Sequence, residues 1–431
     1  MRKPPKQVLV VLYYWPPAGG PGVQRWLKFT KYFREFGIIP TVFAPENPHY
    51  PIQDQSLEWE ISRDVKVIKS PIIEPYQSSN IISKESTNAL SKGIIKEKNK
   101  QSFFQKLLLF IRGNFFIPDA RKFWIRPSVK RISKLLKKTS YDVIITTGPP
   151  HSLHRIGYHL KLKHPELKWI ADFRDPWTTI GYHHQLKLTK SSQKKHLRME
   201  KEVLTMADHV VVTSPSTQEE FKSKTTTPVS VITNGFDDVD IEVHLDEQFS
   251  ISHVGTLMNE RNPRLLWKAI AELLEEEEHL KIHLELQFVG QVGQDIIDSL
   301  EEFDLMGHST FTGYLPHKEA QVIMHKSQLL LLIEKNMKLT QSIIPGKLFE
   351  YFQAERPILA VGPEDWDVKQ LIRKQNAGET FQYNEFKNIK AYIKTCYRDF
   401  LNGRLGYEEA NHGQFHRKTL TEEYSKIIHQ L

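Results

Sequence analysis

Three observations predict an α/β chain of two domains, each built on a parallel sheet. Short apolar runs alternate with segments of helical period from residue 8 onward, the pattern of successive βαβ units. After the acidic loop 237–246 the same alternation starts again. The length, 431 residues, suits two or three domains of about 150 residues each.

Residues 8–13 form an unbroken apolar run and read as a buried strand. A Gly/Pro loop follows, Pro16-Pro17-Ala18-Gly19-Gly20-Pro21-Gly22. Residues 23–36 place Trp26, Phe29, Phe33 and Phe36 at helical spacing and stop at Gly37. Strands are expected at 41–44, 65–68 and 141–147, the last leading through Gly148-Pro149-Pro150 into a helix near Ser152. Further strands are expected at 168–171, 209–213 and 229–233. In the second domain, strand 249–254 ends at Gly255-Thr256, and helix 264–275 leads to strand 282–289, which ends at Gly290. A strand and turn at 310–316, strand 329–333, helix 346–353 and strand 357–361 complete the pattern. Residues 415–431 read as a helix with Leu420, Tyr424, Ile427 and Ile428 on one face. The expected boundaries are 1–240, 241–412 and a terminal segment 413–431. Residues 77–101 are polar and Ser/Lys-rich and read as a mobile loop.

Composition narrows the classes. Hydrophobic residues at 39% and charged residues at 26% exclude a disordered, collagenous or coiled-coil chain. The single cysteine, Cys396, excludes an intrachain disulfide and a Cys-based metal site. The start of the chain is basic and then apolar, as in a signal peptide. The apolar run is short, however, and Trp15-Pro16-Pro17 stands where small cleavage-site residues belong, so a first strand is expected. No run approaches the roughly 18 apolar residues of a membrane span, and a cytosolic protein is expected. The net charge of +8 calls for an anionic partner. Residues 81–140 hold fifteen Lys/Arg against three Asp/Glu and set its sign. Nucleic acid is not the expected partner, because no recognition motif is present and the aromatics cluster with aliphatic residues.

The loops after the strands carry the candidate chemistry, because open α/β sheets bind ligands at the carboxyl ends of their strands. Gly19 and Gly20 lie between the first strand and first helix, where small residues let a ligand approach the backbone. The dinucleotide fingerprint fails there, since Arg25 takes the place of the third glycine. Asp172-Phe173-Arg174-Asp175-Pro176-Trp177 puts two carboxylates around a guanidinium after a strand; a plain structural Arg–Asp pair is the alternative. His151 and His154 follow another strand, and either can act as a base, although lone histidines are more often structural. Ile344-Pro345-Gly346-Lys347-Leu348-Phe349-Glu350-Tyr351 is the most informative stretch. Gly346 opens a helix suited to a phosphate, Lys347 in an exposed first turn adds a cation, and Glu350 one turn on can accept from ribose hydroxyls. The alternative there is an ordinary Lys–Glu pair. Gly255, Thr256 and Arg261 follow the first strand of the second domain and can serve the same site. Two Asp-x-Asp triplets, Asp238-Val239-Asp240 and Asp365-Trp366-Asp367, are read as acidic loops, and no metal site is expected.

The order of these motifs resembles family-4 retaining glycosyltransferases of the GT-B fold. The residues that carry the resemblance are the Gly19-Gly20 loop, Thr147-Gly148-Pro149-Pro150-His151-Ser152, Asp172 to Trp177, Asn234-Gly235, Gly255-Thr256, Gly313-Tyr314 and Pro345 to Tyr351. The resemblance runs nearly end to end and is weakest over 45–110. It implies two Rossmann-like domains facing a cleft, with the acceptor on the first and a nucleotide-sugar donor on the second. It also implies a last helix that crosses back to the first domain. Gly20 would lie near the donor phosphate or sugar, Arg261 and Lys347 would neutralise the diphosphate, and Glu350 would hold the ribose. Transfer would proceed with retention and without a metal. The chain departs from the family in two places. Ser342 stands where the first of two spaced glutamates is common, and Arg174 stands where many members have histidine, so that Asp172 or Asp175 is expected to take over that role.

The expected function is transfer of a sugar to a glycan or lipid-linked acceptor in cell-surface polysaccharide synthesis. A GT-B nucleotide-sugar 2-epimerase is the alternative. The aromatic and basic stretch 103–126 favours transfer, because it has the composition of an acceptor surface. Across 101–140, Phe103, Phe104, Leu107, Leu108, Phe110, Ile111, Phe115, Phe116, Phe123 and Trp124 interleave with basic residues, which suits an anionic membrane surface. A core-packing helix with a solvated basic face is the alternative for that stretch.

Overall fold

The computed structural model describes residues 4–74, 103–406 and 412–431. The expected mobile loop at 77–101 lies outside the described residues. The chain divides into two compact units, the first comprising the residues up to Asn234 together with Arg417–Leu431, the second Gly235–His416. The divisions at 234/235 and 416/417 thus differ by a few residues from the expected 240/241 and 412/413.

The first unit is built on seven parallel strands in the order β3-β2-β1-β4-β5-β6-β7. These are β1 (Lys6–Val11), β2 (Ile38–Pro45), β3 (Lys66–Ser70), β4 (Val143–Gly148), β5 (Lys168–Phe173), β6 (His209–Val212) and β7 (Val229–Val231). Val8 pairs with Val143 and Val11 with Thr146, which sets the register of the two central strands. Val8 to Val11 and Val143 to Ile145 are fully buried, so both faces of the sheet are covered. That explains why these strands read as continuous apolar runs and not as alternating ones. The expected helix 23–36 is a helix Pro21–Tyr32 followed by a tighter turn Phe33–Phe36, closed by Gly37 at φ 73°. The helix Arg417–Gln430 packs on it: the Tyr424 ring lies 5.6 Å from Trp26 and 5.4 Å from Phe29. Within the basic stretch, helices Phe103–Phe115 and Lys122–Leu136 form. Part of the expected membrane face is core instead, since Trp124 is buried and stacks on Phe43 at 5.6 Å. Leu107, Phe110, Phe115 and Phe123 are exposed.

The second unit holds six strands in the order β10-β9-β8-β11-β12-β13, again all parallel. They are β8 (Phe249–Val254), β9 (Leu284–Val289), β10 (Ser309–Gly313), β11 (Leu329–Ile333), β12 (Ile358–Gly362) and β13 (Gly378–Gln382). β9 starts later than expected because Leu280–His283 forms a helical turn. β13 has no counterpart in the sequence reading. It is an edge strand, Gly-Glu-Thr-Phe-Gln, with only Phe381 buried, and so carries almost no apolar signal. No helix among the described residues is long and apolar enough to cross a membrane.

Candidate functional site

Strand order reverses between β8 and β11 in the second unit. Loops leaving the two strand ends diverge at such a point and leave room for a ligand. β8 is followed by Gly255 at φ 112° and β9 by Gly290 at φ 114°. A Cβ on Gly290 would stand 2.8 Å from the Gly255 carbonyl oxygen, so the two turns nest only as glycines. Thr256 is exposed beside them.

Lys347 opens the helix Lys347–Gln353 and reaches back to this point. Its Nζ donates to the Val254 carbonyl at 2.9 Å and meets His253 Nε2 at 2.8 Å. The expectation of an exposed first turn is therefore corrected: the chain folds Lys347 onto the end of β8. Burial, reinforced by the Arg261 charge, lowers its pKa to about 7. Burial first, then Lys347 and Arg261, pushes His253 well below the ordinary imidazole range, so it stays neutral. Arg261 is held by Glu334 in a two-pronged ion pair, Nε to Oε1 3.1 Å and Nη2 to Oε2 3.0 Å. Glu334 follows β11 directly, so this pair bridges the reversal. Glu350 accepts from His317 Nε2 at 2.7 Å, across from helix His317–Lys326. Gly346 is itself in helical geometry, and the helix it opens is seven residues long. The cationic groups here are Lys347 and Arg261, and not the end of so short a helix.

The expected second-unit residues Gly255, Thr256, Arg261, Gly346, Lys347 and Glu350 gather on this strand-end region. Glu334 and His253 are part of it and were not anticipated. A single ionisable residue set in or just after a fully buried strand was the available signal.

The first unit has the same reversal between β1 and β4. Gly20 caps the helix Pro21–Tyr32 at φ 91°, with no atom of the described residues within 4 Å of where a Cβ would stand. Asp172 is corrected as a catalytic candidate. It is fully buried and engaged by Arg25 Nη2 at 2.8 Å, Trp26 Nε1 at 3.2 Å and Thr147 Oγ1 at 2.9 Å. That is the structural Arg–Asp pair, with Arg25 rather than Arg174 as the partner. Arg174 donates to the Pro149 carbonyl and lies over the Tyr14 ring. His154 is buried, bonded to Thr146 Oγ1 at 3.0 Å and stacked on Phe173 at 4.0 Å. Burial, with Arg174 adding to it, lowers its pKa to about 3, which removes it as a base near neutrality.

His151 and Asp175 remain. Both line a cavity of about 390 Å³ together with Tyr14, Phe116, Trp177 and His196. His151 stacks flat on Trp177, 4.9 Å between centroids. Its two ring nitrogens are buried and have no hydrogen-bond partner among the described residues. Burial raises the Asp175 pKa, against the opposing pull of Arg174. The basic stretch contributes wall residues as well, Arg112, Phe116, Asp119 and Arg121.

Residues 96–239 match the family model Glycosyltransferase Family 4. That segment contains the Thr147 and Asp172 motifs. A sequence search among curated proteins finds no match. Among solved structures, sucrose-phosphate synthase from Thermosynechococcus elongatus is similar at TM-score 0.62 and 13% identity, covering 99% of this chain and 98% of that one. A glycosyltransferase from Rickettsia africae gives 0.57 and 13%, covering 99% and 98%. The lipopolysaccharide outer core galactosyltransferase WaaB gives 0.58 and 12%, covering 98% and 100%. The chain thus carries a family-4 segment and the GT-B fold, as its motifs indicated. The family-model match supports glycosyl transfer as the activity, and the structures support the fold.

Proposed function

We propose that this protein transfers a sugar from a nucleotide-sugar donor to a glycan or lipid-linked acceptor, with retention and without a metal. The observation that carries the reading is the pair of cations at the β8/β11 reversal, Lys347 on the β8 end and Arg261 clamped by Glu334. A nucleoside diphosphate leaving group has the charge to match them. In the reaction the bond from the anomeric carbon to the diphosphate oxygen breaks, and the acceptor hydroxyl oxygen bonds to that carbon. The hydroxyl proton leaves with the diphosphate. Lys347 and Arg261 stabilise the charge that develops on the departing oxygens, the task a metal performs in other transferases. Glu350, already an acceptor for His317, suits the ribose hydroxyls. The acceptor belongs to the first unit, with Asp175 and His151 as the groups able to orient its hydroxyl.

The reading extends to cell-surface polysaccharide synthesis at the inner face of a membrane. Exposed Leu107, Phe110, Phe115 and Phe123 beside Lys106 and Arg126 support peripheral attachment to anionic lipid. The test is a panel of nucleotide sugars incubated with the protein in EDTA, with and without lipid-linked acceptor. Release of nucleoside diphosphate together with a lengthened acceptor is expected. An isomerised nucleotide sugar with no diphosphate released would establish the epimerase instead.

A further inference from the structure

We infer that His253 is a positioning residue for Lys347, and that this pair takes up one proton from solvent when a nucleoside diphosphate binds. The inference rests on the glycosyl-transfer reading and names a further residue of its donor site. By the two-residue period of a strand, Phe249, Ile251 and His253 of β8 share one face, and the first two lie in the apolar core of the second unit. His253 is 1% exposed. An imidazole placed there loses its hydration and needs a partner in return. That partner is Lys347, whose Nζ lies 2.8 Å from His253 Nε2. An ammonium has three N–H groups and no lone pair. One donates to the Val254 carbonyl at 2.9 Å and one to His253 Nε2, and the third has no acceptor among the described residues. The ring thus holds Lys347 at the end of β8, beside Gly255, where a Cβ would stand 3.6 Å from Nζ.

No carboxylate is hydrogen-bonded to Lys347 among the described residues. Glu334, at the end of β11, gives both oxygens to Arg261, and its Oε1 also accepts from the Lys335 N–H at 2.8 Å. Glu350, on the same helix as Lys347, gives Oε1 to His317. Arg261, in the turn after β8, adds a like charge. Tyr351 accepts from the Val254 N–H at 3.1 Å, and Tyr383, after β13, donates to the Glu334 carbonyl at 2.9 Å. Burial pushes both phenols up, so both stay neutral.

The ammonium therefore has only a neutral ring and a carbonyl as hydrogen-bond partners. Burial, then Arg261, brings its pKa to about 7, so above that pH the free amine prevails in the unliganded chain. A neutral imidazole holds either form, accepting from the ammonium or donating Nε2–H to the amine. A diphosphate supplies the anion that is missing. On binding, the amine and one solvent proton become the ammonium, whose third N–H meets a phosphate oxygen.

The experiment is titration of uridine, guanosine and adenosine diphosphates into the full chain in EDTA, repeated at about pH 8 and about pH 9. The ligand phosphate, with a second pKa of about 6, is fully ionised at both. One of the three should bind, and uptake of one proton makes its affinity fall about tenfold between the two. Lys347→Arg, whose guanidinium keeps its charge, should show the same affinity at both. His253→Phe fills the space of the ring without the acceptor nitrogen and should weaken binding about tenfold. His253→Gln, whose amide oxygen can accept from Nζ, should restore most of that loss. Thermal melting checks the folding of each variant. Equal wild-type affinity at the two pH values, or wild-type affinity in His253→Phe, would overturn the proposal and leave glycosyl transfer standing. If none of the three diphosphates binds at either pH, the functional reading falls and this proposal with it.

Discussion

Lys347 is the residue on which most depends, and it is doubly constrained. Its ammonium sits against a neutral imidazole and a carbonyl, in a place where burial already disfavours charge. A diphosphate would restore that charge. Lys347→Ala should therefore cut turnover about 10²-fold, by analogy with removal of a single electrostatic donor. Steady-state kinetics on a soluble, melting-checked variant tests this, and near-wild-type turnover would contradict it. The same group makes stability pH-dependent. Its pKa is about 7 in the folded chain against an ordinary 10.5. Between those values the unfolded chain binds more protons than the folded one, so its contribution makes the unliganded protein more stable as pH rises through that window. The melting temperature of the wild type, measured relative to Lys347→Ala from pH 7 to pH 10, should climb. A flat difference would mean that Lys347 carries its charge freely. Lys347 and Arg261 were legible in the sequence because basic residues in post-strand loops stand out. Their supports were not. His253 and Glu334 are hidden in or beside buried strands, and only the fold brings residue 253 next to residue 347. Asp172 was legible as a buried-strand-end carboxylate, but its partner Arg25 is 147 positions away and could not be paired from spacing alone.

At the scale of elements, the helix Arg417–Gln430 completes the first unit's core from the far end of the chain. Leu420, Tyr424 and Ile428 are almost fully buried, and Tyr424 closes a ring cluster with Trp26, Phe29 and Phe33. Burying such side chains stabilises by about 1.5–3 kcal/mol each. That sum is comparable with the whole stability of a typical domain, about 5–15 kcal/mol. Truncation after His416 should thus leave the first unit unfolded or aggregated. Limited proteolysis would show it: rapid digestion of 4–234 is expected, and a stable first-unit fragment would contradict the packing. The helix was visible in the sequence from its apolar face. Strand β13 was not, because an edge strand with one buried side chain has neither a hydrophobic run nor a clean alternation. The strands of both sheet centres were visible for the opposite reason, being buried on two faces.

At the scale of the whole molecule, the excess positive charge and the exposed aromatics of 103–126 belong together. Each basic residue near an anionic surface contributes about 1 kcal/mol, screened by salt. Sedimentation with anionic vesicles should capture the protein at low salt and release it at high salt. Phe115→Asp combined with Phe123→Asp, both at exposed positions, should reduce capture further. Equal recovery with neutral and anionic vesicles would assign that face to another partner. The two-unit plan was legible because the strand–helix alternation restarts after an acidic loop. The sugar and the nucleotide base were not, because a few pocket side chains set them and no spacing records that. The most direct measurement is calorimetric titration of uridine, guanosine and adenosine diphosphates into the full chain in EDTA. One of them should bind, and at 100 times its dissociation constant should add about 2.7 kcal/mol of stability, with Lys347→Ala abolishing the heat. Absence of binding by all three, or binding that appears only when magnesium or manganese is restored, would contradict a diphosphate site built from Lys347 and Arg261.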